Sequence, residues 1–77
     1  MIDTRGISNG DLVKHFKGNM YKVICIAEHT ETQESLVVYR AMYSPYKVYA
    51  RPAKMFFSRV DKKKYPDATQ VYRFEKV

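Results

Sequence analysis

Two arginines inside strand-like segments have the clearest chemical potential in this 77-residue chain. Arg40 lies within LVVYRAMY and Arg51 within KVYARP, and both runs are rich in β-branched and aromatic residues. An arginine in a half-buried strand is costly unless an anion pairs with it. Its planar guanidinium can hold a phosphate or a carboxylate through two parallel hydrogen bonds. We therefore predict that Arg40 and Arg51 bind an anionic ligand.

Tyrosines close to these arginines offer the same ligand a second kind of contact. Tyr39, Tyr43 and Tyr49 lie in the same segments, and their rings can stack a base, each stack contributing about 1–3 kcal/mol. Arg73, near the carboxyl end, is a further candidate for contact with the anion. The alternative is internal pairing, in which the arginines bind the glutamates of residues 28–34 and the tyrosines belong to the core.

The two histidines are the only candidate general bases. His29 lies in the acidic loop EHTETQE together with Glu31, so we consider both as ligand-binding residues. The alternative is that the loop's threonines and glutamates hydrogen-bond their own backbone and shape the turn. His15 is interpreted as structural. Neither histidine has a recognised nucleophile motif beside it, so we predict that the protein is not an enzyme, and a hydrolase using His29 is the least favoured function.

Composition limits the partners. A net charge of +6 favours anionic ones, such as a nucleotide, a nucleic acid or an acidic protein. One cysteine and two histidines cannot complete a four-ligand zinc site without carboxylates, and no glycine-rich phosphate loop is present. We predict no metal, no cofactor and, since no signal peptide or apolar span is visible, no membrane association. The single, reduced cysteine indicates a cytoplasmic location.

Short strand-like segments bounded by turn residues must position these side chains. They are DLVKHFKG, MYKVICIAE, SLVVYRAMY, KVYAR, FSRV and QVYRFEKV. The pattern predicts one mostly β domain over residues 1–77, a small antiparallel barrel of the Src-homology-3-like type. At most one short helical turn is expected, in PAKMFF. Residues 1–10 are compatible with a flexible arm, and the small size favours a homodimer because a chain this short buries little surface alone.

The turns predict which residues face each other. A turn at Ser44-Pro45-Tyr46 places Arg40 opposite Arg51, and a hairpin around residues 29–34 places Val23 opposite Arg40. Two arginines directly opposite each other repel unless an anion lies between them. We therefore expect both guanidinium groups on one face of the sheet.

Four segments, HFKGNMYKV, EHTETQESLVVYRAMY, YARPAKMF and YRFE, together resemble a bacterial and phage family, the domain-of-unknown-function family 1653. The resemblance runs from about His15 to Phe74. It implies a compact, mostly β domain, and it implies no reaction. One departure is that Tyr49-Ala50-Arg51-Pro52 stands where the family usually has Trp-Val-Arg-Pro; tyrosine can stack as tryptophan does, but with less area.

These features predict a small basic binding module without enzymatic activity. It would hold a phosphate-bearing ligand, namely a nucleotide, a cyclic oligonucleotide or a nucleic acid, on a face of arginines and tyrosines. The alternative is a protein-interaction module, in which the arginines meet an acidic partner and the sheet edge adds a strand.

Overall fold

The computed structural model describes residues 4–77. Five strands and one short helix follow in the order β1 (Leu12–His15), β2 (Met20–Glu28), β3 (Ser35–Ala41), β4 (Val48–Pro52), α1 (Ala53–Phe56) and β5 (Phe74–Lys76). The strands form a single antiparallel sheet in the order β4-β3-β2-β1-β5. The prediction of a mostly β domain with one short helical turn is confirmed. The predicted barrel is not, because β4 and β5 remain the two edges of an open sheet.

Local sequence accounts for most of these boundaries. β2 coincides with MYKVICIAE, a run without glycine or proline. Pro52 ends β4 and precedes α1, as its fixed φ and missing N–H favour. The two carboxyl-terminal segments form less strand than predicted. FSRV and QVYRFEKV share a single bridge between Arg59 and Tyr72, and QVYRFEKV otherwise contributes only the three residues of β5.

One face of the sheet, here called the core face, packs against α1 and the segment that follows it. In β3 the buried residues Val37, Tyr39 and Ala41 alternate with less buried ones, as the two-residue period of a strand requires. Phe56 of α1 is fully buried, and its ring stacks on that of Phe74 at a centroid distance of 4.1 Å. The opposite, outer face is not covered by any helix in residues 4–77.

The register between β3 and β4 corrects one prediction. Arg40 pairs with Val48, and Arg51 pairs with Val37. The strands are joined by a wider loop centred on Ser44, with the amide of Ala41 donating to the carbonyl of Lys47. This shifts the pairing by an odd number of residues, which reverses the face of each β4 side chain relative to β3. The prediction that Arg40 and Arg51 share a face is therefore wrong.

The register between β2 and β3 was predicted correctly over half of its length. Glu28 pairs with Ser35 and Cys25 with Val38, but the register then shifts between Val23 and Cys25. This irregularity is a β-bulge at Ile24, which leaves one residue of β2 without a partner. Val23 consequently faces Tyr39 rather than Arg40.

The amino-terminal segment, for which a flexible arm was expected, is anchored in its described part. Ile7 is buried in the core, and the Arg5 guanidinium donates to the carbonyls of Phe57 and Phe74 at 3.2 and 3.0 Å. Residues 1–3 lie outside the described residues. Across residues 4–77, no helix is long and apolar enough to cross a membrane.

Candidate functional site

His15 lies at the centre of the site. It is the last residue of β1, pairs with Phe74 of β5 and follows the buried Val13 by two positions, so that its half-buried ring lies on the core face. The ring meets that of Phe74 edge to face at 4.9 Å. Its Nδ1 accepts a hydrogen bond from the amide of Lys17 at 3.1 Å, which places the proton of the neutral imidazole on Nε2.

Three cationic side chains act on this ring. Burial, followed by the positive charges of Arg51, Arg73 and Lys17, lowers the pKa of His15 to about 4. The Arg51 guanidinium carbon lies 5.8 Å from the centre of the Phe74 ring. Arg73 precedes Phe74 in the chain, and its Nε donates to the Ser58 hydroxyl at 3.3 Å. We call His15, Lys17, Arg51 and Arg73 the cationic cluster.

No carboxylate lies in ion-pair distance of the cations of the cluster among residues 4–77. Within residues 4–77, the only ion pair is that between Lys76 and Asp11, at 3.4 Å. Internal pairing of Arg51 with the glutamates of residues 28–34, the alternative considered from the sequence, is not seen there. Like charges held close together are unfavourable unless an anion joins them. The cluster therefore concentrates positive charge around His15.

Aromatic rings line the sheet beside the cluster. Tyr21 of β2 packs edge to face against Tyr39, Tyr43 and Phe74, with centroid distances of 5.4, 5.8 and 5.7 Å. The Tyr21 and Tyr43 hydroxyls lie 3.0 Å apart. Burial and this hydrogen bond raise the pKa of Tyr21 to about 12. These rings give the cluster a partly apolar border.

The three tyrosines predicted to stack a ligand occupy different environments. Tyr39 is only 4% exposed and packs against Phe56 and Phe74, so little of its ring is open to a ligand. Tyr49 is 39% exposed and tilts over Tyr39 at 5.7 Å, while Tyr43 is 38% exposed at the loop after β3. Tyr43 and Tyr49 therefore retain surface for stacking, while Tyr39 packs beneath Tyr49 and Tyr21 packs against Tyr43.

His29 and Glu31 lie apart from this arrangement, in the loop between β2 and β3. The His29 Nδ1 accepts hydrogen bonds from the amides of Glu31 and Thr32, at 3.1 and 3.4 Å, and the Thr32 hydroxyl accepts one from the amide of Glu34. Neither His29 nor Glu31 contacts Arg51 or Arg73 in the described part of the chain. These bonds match the loop-shaping role that was the alternative interpretation from the sequence.

Arg40 lies on the outer face instead. It pairs directly with Lys22 of β2, and these two cations lie between the exposed Leu12 and Val48 in a row across four strands. A groove of about 460 Å³ lies beside them, bordered also by Met42. The pair of like charges on adjacent strands that was predicted for Arg40 and Arg51 is formed instead by Arg40 and Lys22.

The sequence analysis selected Arg51 and Arg73 for the candidate site but not their neighbours His15 and Lys17. His15 was interpreted as structural, and Lys17 was not considered. The two-residue alternation of β1 could have indicated His15, because Val13 and His15 share one face of the strand and the apolar Val13 marks that face as the buried one.

In residues 4–77, no three His, Cys, Asp or Glu side chains are grouped as metal ligands would be.

Comparison with known proteins identifies the family without assigning an activity. No curated protein matches the sequence. A crystal structure of a DUF1653 protein from Bordetella bronchiseptica is similar, with 26% sequence identity and a TM-score of 0.77 over 97% of this chain and 92% of that one. The family model for the protein of unknown function DUF1653 matches residues 11–76. The chain therefore belongs to the DUF1653 family.

Proposed function

We propose that this domain is a non-enzymatic binding module that holds a phosphate-bearing ligand on the cationic cluster. The observation that supports this most strongly is that Arg51 lies over the Phe74 ring against which His15 packs. The charges of Arg51, Arg73 and Lys17 all act on His15, and no carboxylate lies in ion-pair distance of them among residues 4–77. A phosphate between these groups would replace mutual repulsion with charge-assisted hydrogen bonds.

The geometry favours phosphate because of the donors that it presents. Two guanidinium groups can each donate a pair of parallel hydrogen bonds, a geometry that matches phosphate oxygens. The His15 Nε2–H adds a neutral donor. Tyr43 and Tyr49 leave ring surface nearby for a base or a sugar. Nucleotides, cyclic oligonucleotides and nucleic acids share these features.

Isothermal titration calorimetry with inorganic phosphate, mononucleotides, cyclic dinucleotides and short oligonucleotides tests the proposal. Arg51→Met should weaken binding at least tenfold, since it removes a charge-assisted contact of about 1.5–3 kcal/mol. Arg40→Met is the matched control, because it removes the same charge from the other face. Equal losses in both variants would indicate a general effect of net charge, and no binding of any phosphate compound would refute the proposal.

The outer face favours a second candidate function, an interaction with an acidic protein. Arg40 and Lys22 lie opposite each other between exposed Leu12 and Val48, so a segment carrying both carboxylates and apolar side chains fits this face. A peptide of alternating glutamate and leucine is a suitable probe. Shifts of the Leu12 and Val48 methyl signals in nuclear magnetic resonance spectra, without shifts at His15, would favour this function over anion binding at the cluster.

A further inference from the structure

A second group of rings and lysines continues from the cationic cluster into the loop after α1. The ring centroids of Phe74, His15, Phe16 and Tyr65 follow one another at 4.9, 4.5 and 4.9 Å. Beyond Phe16, a groove of about 310 Å³ is bordered by Phe16, Tyr65 and two lysines, with Asp67 as the single carboxylate. The row of aromatic rings therefore extends beyond the cluster itself.

The two lysines of this groove lie close to the Tyr65 ring. The Lys17 ammonium lies 5.2 Å from the ring centre and that of Lys64 lies 5.6 Å from it. Lys17 also contributes to the positive potential at His15. Lys17 therefore belongs to both the cationic cluster and the groove.

The loop that carries Lys64 and Tyr65 is held in shape by its own hydrogen bonds. The Asp61 carboxylate accepts from the amides of Lys63 and Lys64, and the amide of Tyr65 donates to the Asp61 carbonyl. Lys62 is used internally, since its ammonium donates to the carbonyls of Ala68 and Gln70. Lys64 is therefore presented at the groove by a fixed turn, although the three consecutive lysines look alike in the sequence.

We propose, on the basis of the function proposed above, that the ligand is a single-stranded nucleic acid that runs from the cationic cluster over Phe16 to Tyr65 and Lys64. A mononucleotide has one base and one phosphate group to place, and it can fill only one of the two basic and aromatic positions. A strand repeats both chemistries at every nucleotide, and aromatic rings that alternate with cations suit it without regard to base sequence. The net charge of +6 adds attraction to the backbone.

Fluorescence anisotropy with labelled thymidine oligonucleotides of one, two, four and eight nucleotides tests this extension. We expect affinity to rise with length up to about four nucleotides, the lower limit of site sizes on small β domains. Tyr65→Ala should weaken the binding of the four-nucleotide strand by roughly five- to a hundredfold, the range for loss of one stacked base. It should leave the binding of thymidine monophosphate unchanged.

Matched variants separate the contribution of stacking to strand affinity from the effects of a substitution on folding and on charge. Tyr65→Phe keeps the ring and should retain strand affinity. Lys64→Gln should reduce both the affinity and its dependence on salt, whereas Lys63→Gln removes the same charge one position away and should have less effect. A melting temperature within a few degrees of the parent protein's shows that a variant is folded. If Tyr65→Ala does not fold, the comparison of Lys64→Gln with Lys63→Gln decides whether the strand reaches the groove.

Failure of the extended strand site and failure of the phosphate-binding function give different results. If mononucleotides and strands bind equally well, depend on Arg51 and ignore Tyr65, the extended site is refuted while the phosphate-binding function stands. If neither binds, both proposals fail. If poly-L-glutamate binds as tightly as the strand and Tyr65→Ala changes neither, charge alone accounts for binding and the nucleic-acid site is refuted.

Discussion

Arg40 and Arg51 lie on adjacent strands with their side chains on opposite faces of the sheet. Arg40 pairs with Val48 and Lys22 on the outer face, while Arg51 pairs with the buried Val37 and extends over the Phe74 ring. The two residues have the same charge and lie in similar sequence contexts, yet they face different surroundings. Each is therefore a natural control for the other.

The first prediction uses this relationship. Arg51→Lys keeps the positive charge but loses the paired hydrogen bonds of the guanidinium, so affinity for a phosphate ligand should fall roughly tenfold, about 1.4 kcal/mol. Arg40→Lys should leave that affinity unchanged. Titration calorimetry gives both affinities, and the melting temperature of each variant should stay close to that of the parent protein.

The opposite result has a clear structural meaning. If Arg51→Lys lowers the melting temperature by several degrees while binding is unchanged, Arg51 stabilises the fold through its contact with Phe74. A domain of this size shifts about 4–8 °C per kcal/mol, so the two effects are easily separated.

The second prediction concerns stability in acid. His15 has a pKa of about 4 in the folded protein against an ordinary value of 6.5. Between pH 6.5 and 4 the unfolded chain therefore binds more protons at this residue, so its contribution to stability falls as the pH falls through that window. In urea unfolding, His15→Gln, which cannot titrate, should lose less stability than the parent protein between pH 7 and 4. Parallel pH profiles would contradict the pKa shift.

The third prediction couples the same residue to binding. An anion on the cationic cluster offsets the charges of Arg51, Arg73 and Lys17, so it should raise the pKa of His15 from about 4 toward its ordinary value. Binding near pH 5 should then take up a proton and strengthen as the pH falls. A phosphodiester ligand avoids the titration of a phosphate monoester near pH 6. Nuclear magnetic resonance titration of the His15 ring, with and without ligand, measures the change; identical curves would place the anion elsewhere.

The fourth prediction tests the loop role of His29. Its Nδ1 accepts the amides of Glu31 and Thr32, and an asparagine side chain can accept a similar bond two residues onward. His29→Ala should cost about 0.5–1.5 kcal/mol of unfolding free energy, and His29→Asn should cost less. Neither should alter phosphate binding. A large loss of affinity in either variant would indicate that His29 contributes to ligand binding.

The fifth prediction concerns the core that supports the cluster. Phe56 is fully buried and stacks on Phe74, which in turn lies beneath His15 and Arg51. Phe56→Ala should cost about 3–5 kcal/mol and lower the melting temperature by more than about 12 °C. Met55→Ala, at an exposed position of the same helix, should change stability by less than about 0.5 kcal/mol. Similar melting temperatures for the two variants would contradict this account of the core.

Several features of this protein follow from its sequence alone. Uninterrupted β-branched and aromatic runs specified β2 and most of β3 and β4, and Pro52 located the start of the single helical turn. Four motifs were enough to indicate the family. These are local properties, which propensity, turn chemistry and spacing determine without reference to distant contacts.

The faces of the strands, and therefore the composition of the site, were decided only by tertiary structure. The bulge at Ile24 and the wide loop around Ser44 each alter register, and a shift by one residue moves a whole strand's side chains to the other face. Arg40 was thus separated from Arg51, while the pairing of β1 with β5 placed His15 against Phe74, the ring over which Arg51 lies. Such pairings join residues far apart in sequence, and the packing of the whole core selects among registers that local sequence leaves nearly equal.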